Sequence, residues 1–502
     1  MKKFQWFVFS LVLTSLLWFV VSVIEQNFII VFTFDILVFV FCFIFILFNK
    51  IIRLRLLNYF SAGLVINSVF SIIAWYSAEN EGRRYLTGTN SDSSRFWEKA
   101  SFGYKQASLW FEDPFFPTLN VFFYNLSSYL GKPSYLINSQ IVIFFGALCV
   151  VLFYLFVYEM CEQNVAKYSA LLLLFSPTRI TFSTGLMRDI LIVFFGLLFM
   201  YSMVKLKRWR YQKNQLIWVG ISILSLISLH FLRTISMVSF LICGAIFIFL
   251  NFKNQRRDRI QKISIISVII ILVLAFVLSY NDRSDRFSSM FEYAVKVRLS
   301  ELSVDGTELD ANGITTIIGN KFPLLYIIIA PINLMQPFPF YNWDPPYFER
   351  GSIALMDVVL GLGGLFNQIF FIFYLVSFFI FWKLRNKLAL YLFYLFPLFV
   401  GVLCFLGLGQ IRMMMSQVYF CYYLAVAYSL NYCLTFKIGF NLIYNWLLLL
   451  LSIYLSYYFL KIKYTLILLL VLIFILFFLI SILIDIRKFF NVVNFNDANF
   501  NI

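Results

Sequence analysis

Apolar runs near 20 residues long recur along most of the chain, separated by short polar or basic stretches. A helix of about 20 apolar residues crosses the roughly 30 Å of a bilayer's hydrocarbon core. The pattern predicts spans over 4–24, 27–48, 56–76, 139–159, 165–182, 189–204, 216–232, 234–252, 263–280, 353–382, 388–408, 416–436, 439–460 and 464–484. One further apolar stretch, 322–336, is short, carries Pro323 and Pro331, and is followed by Pro337. Proline removes a helix donor and clashes with the preceding turn. This stretch therefore reads as a re-entrant or broken helix, tolerated where protein packs around it. The predicted fold class is all-α: a polytopic integral membrane helical bundle of about 14 transmembrane helices plus one re-entrant segment, with two long external loops. Residues 1–502 form a single polytopic membrane domain in this reading.

Composition supports it. The chain is 62% hydrophobic, 21% aromatic and 13% charged, where a soluble domain is nearer 45–50% apolar and about 25% charged. The opening MKKFQWFVFSLVLTSLLWFVVSVI resembles a signal peptide only at first sight. Its apolar stretch is too long and lacks a small-residue cleavage site, so it reads as a retained first helix. The seven cysteines lie in or beside apolar runs without a CxxC pair, which points to neither a disulfide framework nor a zinc site.

Charge orients the bundle. Lys and Arg in short loops favour the cytoplasm. With the N-terminus inside, basic clusters at Lys2/Lys3, Lys50–Arg55, Lys205–Lys213, Lys253–Lys262, Lys383–Lys387 and Arg487/Lys488 all fall on one side. Only Glu159, Glu162, Asp258, Asp485 and Asp497 oppose them there. A full crossing by 322–336 would put the Lys383 cluster outside, so re-entry keeps the pattern whole. The net charge of +16 is then a topology signal that needs no nucleic-acid partner. Both termini are cytoplasmic, and two long loops are external: 77–138, and 281–352 with the re-entrant piece. Long loops inside a compact protein are functional or disordered. Aromatic residues and prolines throughout the first loop argue for an ordered helical cap on the membrane surface.

Four arginines stand at predicted external helix ends: Arg179 in LFSPTRITFSTG, Arg188 in GLMRDI, Arg233 in LHFLRTIS and Arg412 in GLGQIRMMM. Arginine at such a site is costly and marks a ligand path or an ion pair. Its planar fork suits phosphate oxygens, so four converging at one depth would cradle a phosphate or pyrophosphate. The plainer alternatives are snorkelling to headgroups and local pairing such as Arg188 with Asp189. His230, the single histidine, is a candidate acid or base, or simply a hydrogen-bonded interface residue. Asp92 in SDSSRFWEKA could take a proton from an acceptor hydroxyl, or cap the helix that SSRFWEKASFGYKQASLWF predicts. In PFPFYNWDPPYFERGS, Asp344 is a second candidate carboxylate. Trp343, Glu349 and Arg350 there suit a sugar's apolar face and polar edge, or an interfacial aromatic belt.

No Walker A loop, GxGxxG, HExxH or GxSxG in context is present. Few charges lie within the spans beyond Asp35 and Asp357, unlike ion-coupled transporters. The segments SDSSRFWEKA, STGLMRDILIVFF, LHFLRTIS and GLGQIRMMM, set in this architecture, resemble membrane glycosyltransferases of the GT-C class and bacterial O-antigen or capsule repeat-unit polymerases. The acidic loop here follows the third helix rather than the first, and no DxD-type pair is present. The resemblance implies a bacterial cytoplasmic (inner) membrane enzyme working at the outer face on a polyprenyl-(pyro)phosphate-linked glycan. Arg179, Arg188, Arg233 and Arg412 would hold phosphates, and Asp92, His230 or Asp344 would act as base. It implies no cofactor, with a divalent cation left open, and envelope glycan-assembly proteins as partners. Polymerisation of repeat units is the first expectation and single-sugar GT-C transfer the second. A lipid-linked oligosaccharide flippase and a non-catalytic scaffold are the readings from other classes.

Overall fold

In a computed structural model of the 502-residue chain, the described residues are 2–47, 54–80, 92–103, 115–208, 215–252, 355–383, 387–391, 394, 418–435, 440–461, 475–485 and 487. Their regular structure is helical throughout. In chain order the elements are α1 (Lys2–Ile24), α2 (Ile29–Leu47), α3 (Leu54–Asn80), α4 (Asp92–Ser101), α5 (Phe115–Leu130), α6 (Tyr135–Met160), α7 (Gln163–Phe175) and α8 (Pro177–Thr184). They continue with α9 (Asp189–Arg208), α10 (Gln215–Leu232), α11 (Thr234–Phe252), α12 (Leu355–Lys383), α13 (Lys387–Leu390), α14 (Tyr419–Thr435) and α15 (Phe440–Lys461). Five helices among the described residues are long and apolar enough to cross a membrane, and shorter apolar helices accompany them. The protein is a polytopic helical membrane protein. The predicted span 263–280, the external loop 281–352 with its re-entrant segment 322–336, and most of 388–408 lie outside the described residues.

The bundle is built around α6, which packs against α2, α3, α5, α7, α8 and α9. Its flanks admit close approach where side chains are small. A Cβ on Gly63 of α3 would sit 3.0 Å from Ala147 Cα of α6. Between α9 and α11 the fit is reciprocal: the Phe240 ring covers Gly196, and the Phe199 ring covers Gly244. Without an aqueous phase, packing of this kind carries much of the association between membrane helices.

Several amide side chains inside the bundle donate to backbone carbonyls. Asn138 Nδ2 donates to Asn120 O at 2.9 Å, Gln140 Nε2 to Ile30 O at 2.7 Å, and Asn67 Nδ2 to Ile143 O at 3.2 Å. Each satisfies a group that hydrocarbon would leave unmet. At one end of α6, Lys205 Nζ meets Glu159 Oε1 at 2.5 Å, with both side chains 12% exposed.

Two expectations change. The span 165–182 is one run in the sequence but two helices in the structure, broken at Ser176. Pro177 has no N–H to continue α7 and forces the residue before it out of the helical region. Ser176 is accordingly extended (φ −63°, ψ 114°), and its Oγ accepts from Arg179 N at 3.3 Å to start α8. Proline at the first position of the new helix is favourable for the same reason. The helix expected from SSRFWEKASFGYKQASLWF stops early, at Ser101. Gly103 takes φ +82°, a left-handed conformation open to glycine, and its N–H closes the turn on Ala100 O at 3.4 Å.

Candidate functional site

The break at Ser176 decides what Arg179 does. One turn into α8, its side chain is 1% exposed. Nη2 donates to Leu174 O at 2.9 Å, a carbonyl that the end of α7 leaves without a helical donor, and Nη1 donates to Gly146 O at 3.3 Å on α6. Ser176 Oγ meets the Tyr423 hydroxyl at 2.6 Å, and Tyr423 in turn donates to Asn367 Oδ1 at 2.9 Å. On the other side α12 crosses α8 so closely that a Cβ on Gly363 would lie 2.1 Å from Thr178 Oγ1. The guanidinium therefore binds α6, α7 and α8 together, at the point where a helix is broken.

The turn after α8 has different surroundings. Leu186 N donates to Ser93 Oγ and to the Tyr135 hydroxyl, each at 3.1 Å, and these two hydroxyls hydrogen-bond to each other. Ser93 is the second residue of α4 and is fully buried. Tyr135 opens α6 and stacks on Trp75 of α3 at 5.4 Å, and Trp75 Nε1 donates to Glu25 Oε1 at 3.2 Å beyond the end of α1. One junction thus ties the start of α4 to α6 and to the 185–188 turn. Asp92, the first residue of α4, stands beside that turn by its backbone; its side chain lies outside the described residues.

Two residues on, Arg188 Nη1 donates to Leu232 O at 3.1 Å, at the end of α10. A cation there meets the negative end of the helix dipole. Arg233, the residue after α10, approaches Asp189 at the start of α9, with Nη1 3.3 Å from Oδ1. That is longer than a well-formed charge-assisted hydrogen bond, which runs about 2.7–2.9 Å. The pairing is crosswise: Asp189 meets Arg233, and Arg188 meets the α10 carbonyl. Each partner is thus supplied by the end of α10, across from the turn that carries Arg188 and Asp189. Arg188 and Arg233 are both partly exposed, and His230 lies in the last turn of α10, its ring 5.5 Å from that of Phe231.

The structure therefore brings together the starts of α4 and α9, the end of α10, and with them Arg188, Arg233, His230 and the backbone of Asp92. Arg179 is engaged inside the bundle. Arg412, Asp344, Trp343, Glu349 and Arg350 lie outside the described residues. Sequence reasoning missed Ser93 and Tyr135, whose value lies in long-range contact; the signal available was only that Ser93 follows the singled-out Asp92.

Residues 116–280 match the model of the family described as dolichyl-phosphate-mannose-protein mannosyltransferase. The matched stretch runs from the second residue of α5 through α11, with Tyr135, Arg179, Arg188, His230 and Arg233, and begins after Asp92. No curated protein and no solved structure matches the chain. The match supports a membrane glycosyltransferase of the GT-C type.

Proposed function

We propose that the protein transfers a single sugar from a polyprenyl-phosphate carrier to an acceptor hydroxyl, at the end of the bundle where α4, α9 and α10 meet. The observation that carries this reading is the crosswise junction. Three segments far apart in sequence are held together by Ser93 to Leu186, Arg188 to Leu232 and Arg233 to Asp189. Two partly exposed arginines then share one end of the bundle with an acidic helix start.

In this mechanism the acceptor oxygen attacks the anomeric carbon, the bond from that carbon to the phosphate oxygen breaks, and polyprenyl phosphate leaves. Arg188 and Arg233 hold the phosphate and stabilise the charge that develops on it. Asp92 takes the acceptor proton; His230 and Asp344 are the alternative bases. Arg412 would add to the phosphate contacts, and Trp343, Glu349 and Arg350 would face the sugar. The positive-inside charge pattern supports an outer-face location for this end in a bacterial inner membrane, with both termini cytoplasmic and the loops 77–138 and 281–352 external. The matched family's mannosyltransferase description favours single-sugar transfer over polymerisation of O-antigen, capsule or other exopolysaccharide repeat units.

The test is purified protein in proteoliposomes, supplied separately with polyprenyl-phosphate-[¹⁴C]mannose and with a polyprenyl-pyrophosphate oligosaccharide. Release of polyprenyl phosphate with label moving to a hydroxyl acceptor is the expected outcome. Asp92→Asn should slow it by about 100-fold or more. Lengthening of the pyrophosphate-linked oligosaccharide instead would establish the polymerase. Passage of an intact lipid-linked sugar across the bilayer would establish a flippase. Either result would overturn the proposal.

A further inference from the structure

The α1–α2 pair forms an edge of the bundle. Only 28% of the apolar span of α1 is buried, against 78% for Asp189–Leu206 of α9. Phe32, Ile36 and Phe39 of α2 and Val12, Leu16 and Phe19 of α1 are all exposed, a surface suited to lipid tails or to another membrane helix. Asp35 is exposed on this same edge. It is the seventh residue of α2, so about 9 Å along the helix from its first residue. Ser15 of α1 donates to Asp35 Oδ1 at 2.6 Å. That bond fixes the carboxylate against the α1–α2 seam and leaves Oδ2 to accept from outside.

A carboxylate within the hydrocarbon layer is costly, and such residues ordinarily face protein or water. The carboxylate at Asp35 therefore needs a counterpart. A second copy of the chain would bring another Asp35 to the seam, and like charges in an apolar medium repel. Among the described residues, the exposed cation of an apolar span is Lys383, the last residue of α12, which stands at the end of its span and not within it as Asp35 does.

We propose that the α1–α2 edge docks a transmembrane helix of another membrane protein, one that carries an arginine or lysine at the depth of Asp35. The apolar rims supply packing, and the Ser15–Asp35 pair supplies register, since a buried ion pair is satisfied at one depth and one rotation only. This surface is independent of the transferase reading, as α1 and α2 contribute neither Asp92, Arg188 nor Arg233.

The test uses full-length protein in liposomes with a photo-crosslinking amino acid at Phe32. The probe is a synthetic Leu/Ala transmembrane peptide with one arginine about 9 Å from one interface, and its control has leucine there. The arginine peptide should give about tenfold more adduct than the control, in keeping with intramembrane polar pairs. Asp35→Asn should remove the excess and Asp35→Glu restore it. The Glu variant also separates loss of the pair from misfolding. Equal adduct from both peptides, or an excess that survives in Asp35→Asn, would overturn the proposal. So would an Asp35-dependent adduct between two copies of the protein in the absence of peptide.

Discussion

Arg179 and Arg188 lie nine residues apart and look alike in the sequence, each at the predicted outer end of an apolar run. The structure separates them. Arg179 is enclosed, with Nη1 and Nη2 on backbone carbonyls of α6 and α7, at the break that Pro177 imposes. Arg188 is partly exposed, holds the carbonyl that ends α10, and shares its surroundings with Arg233, Asp189 and the start of α4. An arginine's role is set by what its helix has left unsatisfied nearby. A broken helix inside the bundle draws the guanidinium inward to its loose carbonyls. A turn at the bundle's end leaves it partly exposed, where the proposed phosphate would approach.

The largest effect should come from Arg179. Arg179→Ala leaves two buried carbonyls without their donor, at about 1–3 kcal/mol each, and empties a large buried volume. Thermal unfolding in detergent should show a loss of about 4 kcal/mol or more. Arg179→Lys, with no planar fork to span both carbonyls, should recover only part of it. Arg188→Ala should do the opposite. Transfer should fall by about 100-fold or more, while unfolding changes by about 1 kcal/mol, the scale of a hydrogen bond such as that to Leu232 O at a helix end. If Arg188→Ala unfolds as readily as Arg179→Ala, the distinction between them collapses.

A smaller effect sharpens the crosswise pairing. A double-mutant cycle on Asp189→Ala and Arg233→Ala should return a coupling of about 1 kcal/mol in stability. A cycle on Asp189→Ala and Arg188→Ala should return a smaller coupling than that. Of similar size in stability, and smallest in turnover, is Ser93→Ala. Leu186 N keeps the Tyr135 hydroxyl as acceptor, so the loss should be about 1 kcal/mol. Turnover should still fall about tenfold, because α4 is no longer fixed over the turn and a misplaced base is a poor one.

Most of the helical frame was legible in the sequence because a bilayer permits little else. Apolar length alone marks α1, α3, α6, α9 and α12 within a few residues of their observed limits. The break at Ser176 was legible in principle from Pro177, but the continuous apolar run concealed it. The early end of α4 had its signal in Gly103. The candidate site was legible as a set of residue types and not as a set of partners. Arg188 and Arg233 were picked out by position, whereas the exchange of partners with Asp189 and Leu232 depends on how α9 and α10 pack. That packing follows from fits such as Phe240 over Gly196, which no local pattern records. Grouping Arg179 with the phosphate ligands had the same origin, since its local sequence says nothing of Gly146 O on α6.

The most direct measurement is equilibrium binding of polyprenyl monophosphate to the purified protein, comparing wild type with the Arg188→Ala/Arg233→Ala double variant. Loss of two charge-assisted contacts should weaken binding by about 100-fold or more, with the helical circular-dichroism signal unchanged. Wild-type affinity in a folded double variant would contradict the assignment of these two arginines to the phosphate.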